Sequence, residues 1–393
     1  MTDISYRPQN VRETLVELKN TSELAVDLAY AAALYDYPGL AEEVLELEAR
    51  AESLQYPAKI ALMLAAKRST DAERLVGIVQ IVEAAVAITN AAADVAAILV
   101  DDIGVPDEVL RALPEADEVV VRAVVSEGSD AVGRSMGELA FDTDAGVDVT
   151  AIRRGREWDI DPDERATIDA GDVVIGHGPE TGAAEVHELL TGDARAIGAG
   201  VDAEVAELDR AAALVVELKD LSELSVGLGY AAVLFDDADL AAEVAEIEHR
   251  SDSVKNDVET LVIEAGDQVA EPSRLRGLLH LATASEAICD AAARIADIVL
   301  RDGGVHPVFG QAIGESDELI TTTTIEPGSE LAERSLDELE LEERTGMTIM
   351  AIHRETDWIL APPIDTRLLP ADVLIARGPE QGATDLQAWA KSD

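Results

Sequence analysis

Basic residues are the scarcest charge in this chain: 30 Lys and Arg stand against 80 Asp and Glu, a formal charge of -50 over 393 residues. Nucleic-acid affinity rests on neutralising phosphates with Lys and Arg, and no basic stripe or aromatic-interleaved patch is present, so a nucleic-acid partner is excluded. Cys289 is the single cysteine, which rules out an intrachain disulfide and fits a reducing compartment. Aromatics are only 3% of the chain. The start, MTDISYRPQN, is polar and predicts no signal peptide. The longest charge-free helical run, Leu224 to Phe235, falls short of the roughly 18 apolar residues of a membrane span. No G-x-G-x-x-G follows a strand pattern, so a dinucleotide-binding fold is not expected. The six histidines (177, 187, 249, 280, 306 and 353) form no ligand spacing, and no nucleophile–base pair occurs twice. These features support no enzyme.

So large a negative charge strains a compact fold in dilute salt. At molar salt the Debye length shrinks to about 3 Å and the repulsion fades. The composition therefore reads as that of a protein adapted to a high-salt, haloarchaeal-type cytoplasm.

What the chain does have is a repeat. VDVTAIRRGREWDIDPDERATIDAGDVVIGHGPETG at 147–182 is echoed by MTIMAIHRETDWILAPPIDTRLLPADVLIARGPEQG at 347–382, with an offset of 200 and no gap. Trp158 answers Trp358, Asp172 answers Asp372, and Gly178-Pro179-Glu180 answers Gly378-Pro379-Glu380. Upstream, Glu17-Leu18-Lys19 answers Glu217-Leu218-Lys219. Between residues 11 and 190, roughly a third of positions equal their partner, so the chain is two copies of one unit.

Each unit divides again. Apolar residues recur at helical spacing over 11–35 (Leu15, Leu18, Leu24, Leu28, Ala31, Leu34). Tyr37-Pro38-Gly39 breaks the pattern, and further helices are predicted over 40–67 and 72–100, the last capped by Ser69-Thr70-Asp71 and ended by Gly104-Val105-Pro106. Short connections imply an antiparallel three-helix bundle. Near Glu118 the period falls to 2, predicting strands over 119–125, 147–153, around Trp158, and over 172–176. A short helix over 133–139 and a closing helix over 180–190 complete a small α+β domain. The second copy predicts helices over 206–235, 240–265 and 273–301, from Pro272-Ser273 to Gly303-Gly304, and strands over 319–325, 348–354 and 372–376. The domain plan is a bundle over 1–104, an α+β domain over 115–192, a linker over 193–205, a second bundle over 206–304 and a second α+β domain over 315–391. The fold class is α+β multidomain with internal duplication.

The α+β copies resemble the C-terminal domain of TrkA-type potassium-transport regulators, the RCK C-terminal domain. Gly133-Arg134-Ser135 before Leu139, the strand Val149 to Arg154, and Ile168-Asp169-Ala170-Gly171-Asp172-Val173-Val174-Ile175 leading to Gly178 carry the resemblance. The second copy keeps Ser335, Leu339, Ala351-Ile352, Arg354 and Asp372-Val373-Leu374-Ile375, with Ala371 in place of Gly171. The helical segments resemble PhoU domains, three-helix bundles with acidic E/D-x-x-x-D motifs. Glu48 and Glu52, Glu248 and Asp252, and Glu286 and Asp290 supply those motifs, while Val86 and Asn90 replace the last pair in the first copy.

Carboxylates four apart share a helix face and offer hard oxygen ligands to a divalent cation. With acids about a fifth of the chain, a solvated acidic face gives the same spacing. The PhoU resemblance implies a divalent metal at Glu48, Glu52, Glu248, Asp252, Glu286 and Asp290. The RCK resemblance implies a small-molecule ligand such as cyclic di-AMP, with no motif that assigns its residues. Gly178-Pro179-Glu180 opens a helix where an anion can bind, but a strand-to-helix turn with Pro at the first helical position explains these residues without a ligand. Trp158 and Trp358 read as core or domain-contact residues, and Cys289 as a small buried side chain.

Together the resemblances imply a cytosolic regulator of a membrane cation transporter or channel, for potassium first, held at the inner face of the membrane through that partner. A PhoU-type modulator of phosphate transport, or an accessory of a magnesium transporter, is the alternative. The bundles are expected to pair about a pseudo-twofold axis within the chain, as are the two α+β domains, with homodimerisation left open.

Overall fold

The computed structural model describes residues 11–34, 37–65, 69–100, 103, 119–141, 145–155, 157–160, 162, 163, 165–193, 206–265, 275–301, 318–355 and 357–392. Each half opens with three long helices: α1 (Val11–Leu34), α2 (Pro38–Ala65) and α3 (Ser69–Val100), then α6 (Ala206–Phe235), α7 (Ala238–Ala265) and α8 (Leu275–Leu300). The Tyr37-Pro38-Gly39 break falls where expected, but Pro38 and Gly39 form the first turn of α2, since a helix start needs no N–H from Pro. The expected stops at Gly104-Val105-Pro106 and Gly303-Gly304, the start at Pro272-Ser273, and nearly all of the 193–205 linker lie outside the described residues.

The α+β domain of the first half comprises β1 (Val119–Val124), α4 (Met136–Leu139), β2 (Asp148–Arg154), β3 (Glu157–Ile160), β4 (Val173–Gly178) and α5 (Glu180–Thr191). That of the second comprises β5 (Glu318–Thr324), α9 (Leu336–Leu339), α10 (Leu341–Thr345), β6 (Thr348–Arg354), β7 (Asp357–Leu360), β8 (Val373–Pro379) and α11 (Glu380–Trp389). Each sheet is antiparallel in the order first–fourth–second–third strand. The register repeats with the offset: Val121 faces Gly176, and Thr321 faces Ala376.

Both faces of each sheet are buried, which is why Val173-Val174-Ile175 is a continuous apolar run rather than an alternating one. One face meets the domain's own helix: Ala183, Val186 and Leu190 of α5 close the first small core, and Ala383 and Leu386 of α11 close the second. The other face joins the helices. Ala151, Val173 and Ile175, then Met350, Ala351 and Ile375, belong to the one large core that also holds all six long helices.

The two bundles share that core. α3 runs along α8 and α1 touches α6. Tyr30 and Tyr230 are fully buried there, each bonded across the halves: the Tyr30 hydroxyl lies 2.6 Å from Ser222 Oγ, and Ser22 Oγ lies 3.1 Å from the Tyr230 hydroxyl. The two α+β domains keep separate small cores instead of sharing one. Each rests on its own bundle, so the expected pairing of these domains with each other yields to domain-on-bundle packing.

Among the described residues, one segment, Leu75–Val100, is long and apolar enough to cross a membrane by length and composition, with mean hydropathy 1.8. The charge-free-run criterion passed over it because Glu83 and Asp94 interrupt it. Its apolar window is 67% buried against the other helices, as befits the central helix of a bundle.

Candidate functional site

The acidic pairs on α2, α7 and α8 are where the sequence places a metal, and the two halves treat them differently. In the second half Lys255 stands between helices, its Nζ 3.4 Å from Glu286 Oε2 and 3.9 Å from Asp252 Oδ1. Asp290 pairs with Arg294 at 3.3 Å, and Glu248 lies 2.9 Å from His249 Nδ1. An ammonium therefore occupies the centre of this cluster, and each carboxylate meets a cation or histidine of the same chain.

In the first half Gln55 stands where Lys255 does in the second. Burial, then the charges of Glu52 and Asp94, push the Glu48 carboxyl above its ordinary range. Asn90 Oδ1 is buried on the same helix as Asp94 and has no partner. Asp94 was missed in the sequence, although it lies one helical turn beyond Asn90. Among the described residues, no three His, Cys, Asp or Glu side chains come together closely enough to hold a metal ion.

A different group of charges couples helices to sheet. Glu43 of α2 is 1% exposed. Its Oε1 accepts from Arg122 Nη2 at 2.8 Å and Nε at 3.1 Å on β1, and from Arg153 Nη2 at 2.7 Å on β2; Arg153 Nε donates to Oε2. The hydrogen bonds to Glu43 raise the Arg153 guanidinium against the opposing effect of burial. Beside them, the Tyr37 hydroxyl donates to the Arg122 carbonyl at 3.0 Å. A buried carboxylate holding two arginines by charge-assisted bonds ties the first α+β domain to its bundle.

The second half lacks this tie. The matching residues are Glu243, Thr322 and His353. His353 stacks on Trp358, centroids 4.5 Å apart and planes 19° from parallel. Burial, then Glu246, pushes the Glu243 carboxyl upward. Contact here comes through Gly227 on α6, where a Cβ would sit 2.7 Å from Met350 Sδ.

The remaining motifs are architectural and occur twice. Arg154 Nε and Nη2 donate to Asp172 Oδ1 and Oδ2 at 2.9 and 2.6 Å, and Arg354 grips Asp372 at 2.9 and 2.7 Å. Ser135 and Glu138 form a capping box, as do Ser335 and Glu338. At Gly178-Pro179-Glu180, Pro179 is the N-cap of α5 rather than its first helical residue, with no side-chain cap bond. A Cβ on Gly182 would lie 1.8 Å from the Ala145 carbonyl oxygen, and one on Gly382 2.0 Å from that of Thr345. The helix start is thus pressed against the backbone just before β2 or β6, and the motif serves a turn. Cys289 is fully buried, and burial pushes its thiol up to about 11 despite hydrogen bonds with Ser251 and Ser225.

Residues 120–191 and 320–391 each match the TrkA-C domain family. No curated protein matches the sequence. Among solved structures, PhoU from Pseudomonas aeruginosa is similar over 74% of this chain and 96% of its own, at 16% identity and a TM-score of 0.42. The GsuK RCK domain is similar over 70% of this chain and 64% of its own, at 13% identity and a TM-score of 0.19. The GsuK channel bound to NAD is similar over 70% and 53%, at 11% identity and a TM-score of 0.19.

Proposed function

The chain carries two TrkA-C domains, and from that premise we propose that it is a regulatory protein for cation transport, acting on a membrane transporter or channel, with potassium the first candidate ion. The observation that carries this reading is the doubled TrkA-C domain seated on a joined pair of helical bundles. The buried polar contacts between the bundles support a pseudo-twofold unit in which one chain does the work of a dimer. The protein would act in the cytoplasm, at the inner face of the membrane through its partner, in high salt. A thermal melt that does not rise with KCl concentration would remove the high-salt part of the reading.

Regulation of this kind needs two arrangements whose balance a ligand shifts by its differential affinity. The asymmetric seats supply a candidate: the first domain is tied by Glu43, the second is not. A divalent cation is proposed for the first half rather than the second: it would have to draw together Glu48, Glu52 and Asp94, which are not gathered into a site among the described residues, whereas in the second half Lys255 already pairs with Asp252 and Glu286. A cyclic dinucleotide such as cyclic di-AMP is a second proposed effector. The acidic pairs on the helices favour one other reading, a PhoU-type modulator of phosphate transport, and a magnesium transporter is a variant of the first.

Recovery of the tagged protein from membranes of its own organism in molar salt, with partners identified by mass spectrometry, tests the choice. A potassium or other cation transporter supports the proposal and names its target. Phosphate-transport components alone would replace it with the PhoU-type reading.

A further inference from the structure

In the first half the edge strand β1 is held to the bundle through both its backbone and a side chain. The Tyr37 hydroxyl donates to the Arg122 carbonyl at 3.0 Å, and Arg122 Nη2 and Nε donate to Glu43 Oε1 at 2.8 and 3.1 Å. Arg153 Nη2 of β2 donates to the same oxygen at 2.7 Å. Hydrogen bonds weaken steeply when distance and angle drift, and those between ionised partners are the strongest. This seat therefore fixes the position of the domain as well as its presence. Glu43 is 1% exposed, and buried pairs are screened little, so the tie persists in molar salt.

Two hundred residues on, the members of this tie are replaced or otherwise engaged. Asp237 stands for Tyr37, and its Oδ1 accepts from the N–H groups of Asp239 and Leu240 at 3.0 Å, inside its own helix start. Glu243 keeps the carboxylate, but Thr322 and His353 stand where its two arginines would. Thr322 is exposed on the edge strand β5, whereas Arg122 is partly buried. His353 is stacked on Trp358.

What seats the second domain is apolar. Ile320, Met350, Ala351 and Ile375 lie in the core shared with the long helices, and a Cβ on Gly227 of α6 would sit 2.7 Å from Met350 Sδ. The first half has Asp27 in place of Gly227 and Thr150 in place of Met350, so this close fit belongs to the second half alone. Apolar attraction has no direction, and an unbranched thioether adapts its shape to a shifting neighbour. Such a seat retains the domain without fixing its angle.

We infer that the second TrkA-C domain is the moving part of the chain: its edge strand β5 swings away from α7, with Met350 turning in the notch at Gly227 as the pivot, while the first domain stays fixed on its bundle. Two arrangements of one domain on a fixed body are what a ligand or partner shifts by its differential affinity. For its use the motion rests on the proposed regulation of a transporter, but it is measured on the isolated chain, so its failure leaves the recovery of a membrane partner as a separate question.

Double electron–electron resonance on the spin-labelled full chain in molar KCl compares the two halves directly. Ser53→Cys with Thr181→Cys, and Ser253→Cys with Gln381→Cys, place labels at matched exposed positions on helix and domain. Cys289, the one native thiol, is fully buried and stays unlabelled. A single narrow distance is expected for the first pair, and an additional, longer distance for the second. Thr322→Arg with His353→Arg should remove the longer distance, and Glu43→Gln should bring one into the first pair. Single distances in both pairs, a longer distance in the unsubstituted first pair, a first pair unchanged by Glu43→Gln, or a longer distance that survives the two arginines would each overturn the assignment. If the double-arginine variant fails to fold, the comparison of the two labelled parents still decides.

Discussion

The Tyr30 hydroxyl lies 2.6 Å from Ser222 Oγ, and the reverse contact, Ser22 Oγ to the Tyr230 hydroxyl, spans 3.1 Å. One contact is made twice with its partners exchanged, the relation that a twofold interface imposes on identical subunits. The copies have since diverged: Tyr30 also donates to Ser285 at 2.7 Å, whereas the residue matching Ser285 is Ala85. Each serine hydroxyl also donates to a backbone carbonyl, so removing the Tyr30 hydroxyl takes one hydrogen bond from each of two buried serines, and removing that of Tyr230 takes one from a single serine. Tyr30→Phe is therefore expected to cost about 1–3 kcal/mol and Tyr230→Phe about half as much. Urea unfolding of both variants in molar salt measures the difference, and equal costs would contradict the asymmetry.

Glu43 predicts a second asymmetry. Glu43→Gln leaves Arg122 and Arg153 facing a neutral amide at a buried position, and breaking a buried pair of this kind costs about 3–5 kcal/mol. Amide exchange in β1 and β2 should accelerate while that in β5 and β6 stays as it is. The converse substitution, Thr322→Arg with His353→Arg, places two guanidinium groups opposite Glu243. It is expected to slow exchange in the second sheet. If Glu43→Gln accelerates exchange equally in both sheets, the tie is not local to the first half.

The repeat, the helical and strand periods, and the TrkA-C resemblance were legible because each leaves a regular mark: an offset of 200, a period of 3.6 or 2, or a run such as Asp172-Val173-Val174-Ile175. Glu43 was not legible. It is one acid among 80, and its partners lie 79 and 110 residues away, so no local spacing signals them. Arg153 falls inside the strand Val149 to Arg154, with no local mark of its partner. Lys255 went unweighed for a related reason. Its effect on Asp252 and Glu286 depends on how α7 and α8 are rotated against each other, which periodicity leaves undetermined. The apolar runs carry the burial of both sheet faces, but nothing in them says which neighbour covers each face.

Gly171 and Ala371 hold the same place in the equivalent turns of the two halves, with φ of +87° and +75°. Glycine adopts that conformation freely, whereas alanine there is strained by roughly 1–2 kcal/mol. Glycine also has more freedom to lose on folding, which offsets part of the gain. Ala371→Gly should stabilise the second TrkA-C domain by about 0.5–1 kcal/mol and Gly171→Ala should destabilise the first by more than that. Paired thermal melts in molar salt decide it: a melt lowered by Ala371→Gly would mean that the turn does not strain alanine.

Acid titration should separate two carboxylates of opposite sign. Burial alone would raise Asp172, but hydrogen bonds from Arg154 and from the Asp169 backbone N–H outweigh it and hold the carboxyl below its ordinary range. A depressed group contributes stability that is complete above its unfolded pKa of about 3.9 and disappears as pH falls through the lower folded value. Glu48 is raised by burial, Glu52 and Asp94. It therefore destabilises the fold above its folded pKa and has no effect below the unfolded value of about 4.3. At neutral pH Asp172→Asn should lower the melting temperature and flatten its fall below pH 4. Glu48→Gln should raise the melting temperature at neutral pH in metal-free buffer and leave it unchanged at pH 3. Adding Mg²⁺ or Mn²⁺ should stabilise the parent chain and not the Glu48→Gln variant if the first-half carboxylates hold a divalent cation, and equal stabilisation of both would remove Glu48 from that role.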